Sequence, residues 1–361
     1  MTLFFFFLGF VLLIGGAELL VRHGARLALT LGVRPLLIAL IFMSYGTSSP
    51  EVAVTMQAIA GSHTGIGLGN IVGSNIANIL LILGLTALIR PLPIAQKLVQ
   101  LDVPVMIIAS GLFYLLCADG MISFVDGCIL LAGAVGYTAF TIFESFREKQ
   151  EIEAGYVREF EHLPPISAPG QKFFSFLMMA LAIGLIVLGA QWIIENGVLL
   201  ALRLGISELV LGLTVVAIGT SLPEAAASIA ATIRSEPDLS TGTVIGSNII
   251  NLLGVAGLSI VLMRGQIPVS PEVLRFDLPF MTLVAIACLP IFTSGHRIER
   301  WEGVLFLVYF GLYLTYLGLK SIAFDALPLF GNTLLLFSAP LALVTLVTIV
   351  RRALAARVPR S

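Results

Sequence analysis

Charge is scarce in this chain: Asp, Glu, Lys and Arg make up 11% of its 361 residues, where a soluble domain carries roughly a quarter. That scarcity excludes a water-facing globule and leaves no nucleic-acid partner in view. Cysteine is scarce too. Cys117, Cys128 and Cys288 stand singly in or beside apolar runs. Their odd number and lack of ligand spacing exclude a disulfide framework or a zinc site. The four histidines lie near the ends of apolar runs or between them and form no ligand pair. Also missing is a basic segment ahead of the first apolar run, since the first basic residue is Arg22. The run 3–21 therefore reads as a first membrane span rather than a cleaved leader.

What is present is apolar length. Hydrophobic residues make up 58% of the chain and the mean hydropathy is +1.03. Runs long enough to cross ~30 Å of hydrocarbon as helix fall near 3–21, 35–60, 67–89, 98–117, 122–144, 173–200, 207–233, 242–263, 273–293, 301–319 and 328–350. They lack the period-two alternation of membrane strands. With the N-terminus outside, the segments predicted to lie inside collect sixteen Lys and Arg residues and those outside only Arg203, Arg264, Arg275 and Lys320. This bias sets the orientation and puts the Arg-rich C-terminal tail in the cytoplasm. The eleventh run contains Pro328 and Pro340, which predict a kinked or short span.

The chain also repeats itself. Shifted by 173 residues, Gly46-Thr47-Ser48-Ser49-Pro50-Glu51 falls on Gly219-Thr220-Ser221-Leu222-Pro223-Glu224. Gly73-Ser74-Asn75-Ile76-Ala77-Asn78 falls on Gly246-Ser247-Asn248-Ile249-Ile250-Asn251. The match extends, with small insertions, from Asp102-Val103-Pro104 onto Asp277-Leu278-Pro279 and from Asp126-Gly127 onto Glu302-Gly303. Five spans per repeat is an odd number, so the second half must be inverted relative to the first, as in many secondary transporters. The expected fold is all-α and polytopic: a first five-helix repeat (1–145), a polar cytoplasmic linker (146–172), a second inverted repeat (173–320), and an extra helix with a basic tail (321–361).

Glu51 and Glu224 fall midway along spans two and seven. A carboxylate there costs at least ~2.5 kcal/mol unless it faces a partner or a polar cavity. No Lys or Arg lies at that depth, which leaves a cation or protonation. Gly46 with Pro50, and Gly219 with Pro223, are expected to break the helices and free backbone carbonyls around Ser44 to Thr47 and Ala217 to Thr220. Such oxygens suit hard cations, Ca²⁺ or Na⁺, rather than Zn²⁺ or Cu⁺. The plainer reading, a kinked helix with a protonated packing residue, does not account for two copies at matching depth. Ser74 and Asn78, four apart, share a helical face and could reach the same place, as could Ser247 and Asn251. Asn75 and Asn248 are expected to point elsewhere. Asp102, Asp277, Asp126 and Glu302 lie near span ends and read as solvated at the interface. Glu18 has Gln191 as its repeat partner, which disfavours a symmetric ligand role.

The paired motifs resemble those of the cation/calcium exchanger superfamily, in particular its bacterial sodium/calcium exchanger-like branch, over nearly all of residues 1–320. The resemblance implies ten helices in inverted repeats, with spans one and six sliding against the rest, in the cell's inner (plasma) membrane. It implies that Glu51 and Glu224 hold Ca²⁺ with the Thr47 and Thr220 carbonyls. Na⁺ would use the same glutamates with Thr47, Ser48, Ser74, Thr220, Ser221 and Ser247, and Asn78 and Asn251 would line the centre. Asn251 stands where potassium-dependent relatives carry Asp, which argues against K⁺ co-transport. Val52 stands where the proton-coupled branch has histidine, which disfavours H⁺ coupling.

The function expected is Na⁺/Ca²⁺ antiport by alternating access, with no cofactor: two glutamates supply −2, matched by one Ca²⁺ or two Na⁺. Exchange of Ca²⁺ or another cation for H⁺ is the nearer alternative. A membrane-embedded metal-dependent hydrolase is the distant one, and no His–Glu–His or Ser–His arrangement supports it.

Overall fold

A computed structural model describes residues 2–31, 33, 35–60, 64–147, 169–203, 217–263, 267–293, 295–321 and 331–335. Ten helical units follow one another: α1 (Thr2–Leu31), α2 (Pro35–Ala60), α3 (Thr64–Ile89), α4 (Leu98–Leu116), α5 (Phe124–Arg147), α6 (Pro169–Arg203), α7 (217–233), α8 (Pro237–Met263), α9 (Val273–Thr293) and α10 (Arg300–Ser321). Among the described residues, nine of these are long and apolar enough to cross a membrane. The exception is α7, because 204–216, expected to begin the seventh span, lies outside the described residues. So do most of the expected linker, the basic tail, and the eleventh span apart from a short helical stretch at 331–335.

The helices nearest the centre are buried all round, and those at the periphery are not. Some 83% of the most apolar window of α3 and of α8 is buried, against 28% for α5. The periphery turns side chains such as Phe143, Leu115 and Val135 outward, as lipid contact demands. Close approaches are made at glycine. A Cβ on Gly257 would lie 2.6 Å from the Leu131 backbone nitrogen, and one on Gly84 would lie 3.1 Å from the Gly303 carbonyl. α5 thus lies against α8 and α10 against α3, as small-residue contacts permit where lipid is as apolar as leucine. α1 and α6 touch in the same way through Gly9 and Gly189.

Two short antiparallel pairings fix how the helix ends are arranged. Leu92–Pro93, before α4, pairs with Arg297–Ile298, after α9. Met121–Ile122, after α4, pairs with Ile267–Pro268, before α9. The two pairings therefore cap opposite ends of α4 and α9, which run antiparallel. Adding 175 to 92 gives 267 and adding 176 to 121 gives 297, so exchanging the halves turns one pairing into the other.

The same exchange relates two buried acids. Tyr137 donates to Asp102 at 2.9 Å and Tyr313 to Asp277 at 3.2 Å. Their place near span ends predicts interfacial solvation for both aspartates, but Asp102 is fully buried and Asp277 is 6% exposed. The correction has a simple cause: α5 and α10 bring a tyrosine hydroxyl to each, replacing water. Glu302 is buried as well, accepting the Glu299 N–H at 2.7 Å. Asp126, partly buried, accepts the Ser123 N–H at 2.7 Å in a capping box that starts α5.

Candidate cation-binding site

Proline and serine chemistry breaks α2 and α7 at related places. Pro50 has no N–H for the Gly46 carbonyl four residues earlier, and Pro223 none for Gly219. The helices stop at Thr47 and Thr220, pass through Ser48 (φ −78°, ψ 7°) and Ser221 (φ −85°, ψ 4°), and resume. Helical bonding restarts with Val52 N–H to the Ser48 carbonyl and Ala225 N–H to the Ser221 carbonyl. The ladder thus skips the Thr47 and Thr220 carbonyls. The freed set is narrower than expected. The Ser44 carbonyl accepts the Ser48 N–H at 3.0 Å, and the Gly46 carbonyl is capped by the Ser49 hydroxyl at 2.8 Å. Ala217 opens the short helical turn before the second break.

Each break delivers a glutamate to the interior, Glu51 at 1% exposure and Glu224 at 0%. They come close enough to repel each other. Both halves furnish the surroundings. The Ser48 hydroxyl crosses to Glu224 Oε1 at 3.1 Å, and Ser247 reaches the same oxygen at 3.3 Å. Thr47 and Thr220 each sit beside the other half's glutamate. Asn251 donates across the halves to the Ser74 hydroxyl at 3.2 Å. Asn78 donates to Asn248 Oδ1 at 3.0 Å, so Asn248, expected to point away, belongs to this network. Asn248 and Asn251 are one short turn apart and share a face. Asn75 does turn back, donating to the Ile71 carbonyl at 2.7 Å, but its Oδ1 finds no donor. Ser44 is set apart: its hydroxyl donates to the Ala39 and Thr243 carbonyls, where α2 crosses α8.

The polarity of what remains is one-sided. Both carboxylate oxygens of Glu51, Oε2 of Glu224, the Ser221 hydroxyl oxygen and the Oδ1 atoms of Asn78 and Asn251 are buried without a hydrogen-bond partner. All are oxygens. Buried polar atoms are normally satisfied, and a centre of unmet acceptors with two carboxylates is the environment a hard cation completes. The ion pairs of Glu18 with Arg22 and Arg234, and of Lys97 with Glu144, involve neither glutamate. Among the described residues, no three His, Cys, Asp or Glu side chains gather as a metallohydrolase centre would require.

Asn70 is a member of the site that motif spacing did not single out. It donates to the Glu51 carbonyl and the Thr55 hydroxyl and accepts from Thr220. Its signal is present in the sequence, since Asn70, Ser74 and Asn78 recur every four residues along one face of α3.

A multi-pass helical membrane protein with an acidic, oxygen-lined centre shared by two related halves belongs with the secondary transporters of cations. The chain is a member of the sodium/calcium exchanger protein family, whose sequence profile matches residues 1–143 and 174–319. It is 31% identical over 308 residues to the putative antiporter CaxA of Alkalimonas amylolytica, covering 85% of this chain and 95% of that protein. It is 35% identical over 278 residues to the inner membrane protein YrbG of Escherichia coli, covering 77% and 84%. The fold matches the sodium-calcium exchanger NCX_Mj with a TM-score of 0.72 at 28% identity, over 90% of this chain and 98% of that one.

Proposed function

We propose that this protein is a Na⁺/Ca²⁺ antiporter working by alternating access, with Glu51 and Glu224 as the carboxylates both ions share. The observation that carries this reading is the buried cluster of unmet oxygen acceptors, contributed by both halves around two glutamates. Thr47, Ser48, Ser74, Thr220, Ser221, Ser247, Asn78 and Asn251 complete the ligand set, with carbonyls preferred at Thr47 and Thr220. Ser44 and Ala217 contribute through the backbone at most. One Ca²⁺ or two Na⁺ neutralises the pair, so a loaded centre can cross between states while an empty −2 centre resists. That difference enforces exchange over leak.

The two repeats, 1–145 and 173–320, supply one gate each around this centre. The linker 146–172 and the tail of 321–361 face the cytoplasm, in the inner membrane. Similarity to a sodium-calcium exchanger over nine-tenths of the chain supports the pairing of ions. Na⁺-gradient-driven ⁴⁵Ca²⁺ flux in proteoliposomes tests the reading. Wild type is expected to exchange, and Glu51→Gln and Glu224→Gln to lose at least about a hundredfold in rate, since each leaves one charge where the ion needs two. Undiminished flux in both variants would discard the assignment, and flux driven by a pH gradient but not a Na⁺ gradient would replace Na⁺ with H⁺.

A further inference from the structure

Asn70 lies on α3 one turn before Ser74 and is 3% exposed. Its carboxamide joins the two halves. Nδ2 donates to the Glu51 carbonyl at 3.3 Å and the Thr55 hydroxyl at 3.0 Å, both on the resumed part of α2. Oδ1 accepts the Thr220 hydroxyl at 3.0 Å, from the residue at which α7 breaks.

The related crossing in the other half is tied differently, by the Ser44 hydroxyl to the Thr243 carbonyl at 3.1 Å and not through a side chain at the place of Asn70. Since 243 − 70 = 173, Thr243 occupies the related place, and its hydroxyl donates to the Leu239 carbonyl of its own helix at 2.7 Å. Thr47, the counterpart of Thr220, likewise donates within its own helix, to the Met43 carbonyl at 3.0 Å. The two glutamates are held unequally as well. Glu224 is gripped at its carboxylate by the Ser48 and Ser247 hydroxyls, whereas the Glu51 carboxylate has Thr220 beside it and no serine hydroxyl in hydrogen bond with it. Asn70 adds a grip on the Glu51 backbone.

We propose that Asn70 is a positioning residue for cation exchange: by joining Thr220 of the second half to the Glu51 backbone of the first, it presets the Glu51 side of the centre and sets its cation affinity. This rests on reading the centre as the transport site. The link fixes the Thr220 carbonyl, which the helical ladder skips, relative to the Glu51 carboxylate. A cation entering between them then meets ligands already placed, and less ordering is charged against binding.

The test is a double-mutant cycle on the purified full-length protein, reading half-saturating Ca²⁺ and Na⁺ by calorimetry and by flux. Asn70→Ala and Thr220→Val are each expected to raise half-saturating Ca²⁺ about tenfold, since each breaks the link between Thr220 and the Glu51 backbone, whichever of the Asn70 bonds is lost with it. The double variant is expected to match the singles at about tenfold, because both remove the same link. Thermal melting checks that each variant is folded. If Asn70→Ala fails to fold, Asn70→Thr, which installs the residue of the related place, completes the cycle. A roughly hundredfold rise in the double variant, or unchanged half-saturation in folded Asn70 variants, overturns the inference while leaving the exchange reading intact. A wild-type protein that neither binds nor moves Ca²⁺ or Na⁺ removes the exchange reading, and this inference with it.

Discussion

At the scale of the residue, Glu51 and Glu224 have the same chemistry and repeat-related positions but unequal neighbours. Oε1 of Glu224 accepts two serine hydroxyls, one from each half. A hydroxyl bonded to a carboxylate orients it and remains an oxygen ligand when a cation arrives. Ser48→Ala and Ser247→Ala are therefore each expected to weaken Ca²⁺ binding about tenfold, the range for hydrogen bonds to charged groups. Ser110→Ala is the control, since that buried hydroxyl only returns to the Met106 carbonyl of its own helix. Calorimetric titration of the three variants checks the difference. The Ser48 and Ser247 hydroxyls were implied by the family resemblance, whereas the glutamates were legible from the repeat, because a carboxylate duplicated at membrane depth has few uses besides holding a cation or a proton. Asn248 was not, since spacing alone does not say how wide a helical face the site occupies.

At the scale of the element, glycine decides how closely the helices approach. A Cβ at Gly257 would meet the Leu131 nitrogen at 2.6 Å and the Gly127 carbonyl at 3.1 Å, both backbone atoms that cannot swing aside. Gly257→Ala is expected to push α8 from α5 and destabilise the protein by about 1–3 kcal/mol. Gly136→Ala, on α5, meets nothing within 4 Å and is expected to leave stability unchanged or slightly raised. Thermal melting in detergent separates the two. The helices were legible at this scale from apolar run length, and the breaks in α2 and α7 from Gly-x-x-x-Pro. The residue freed at each break was implied by the family resemblance and not by the break itself, because a proline removes one bond and neighbouring hydroxyls decide which carbonyl stays open. Ser49 closes Gly46, and Thr47 remains outside the ladder.

At the scale of the whole molecule, the two loop pairings require that the segments around 92 and 297 share one membrane face and those around 121 and 267 the other. The proposed orientation puts the first face inside. In a background lacking Cys117, Cys128 and Cys288, Asp119→Cys is expected to react with a membrane-impermeant maleimide in intact cells. Arg297→Cys is expected to react only after permeabilisation. The reverse pattern would invert the topology without altering the fold.

Composition and repetition by themselves determined that this chain lives in a bilayer and that its two halves are related, and they singled out two glutamates without basic residues at their depth as its candidate chemical centre. A bilayer leaves so few ways to keep a carboxylate that position alone is informative. Only the tertiary structure decided which oxygens are left unmet, that Ser48 serves the other half's glutamate, and that Asn70 ties one crossing and not its counterpart. Those depend on contacts between residues more than 140 positions apart, and local spacing carries no information about which of two related helices a hydroxyl will face.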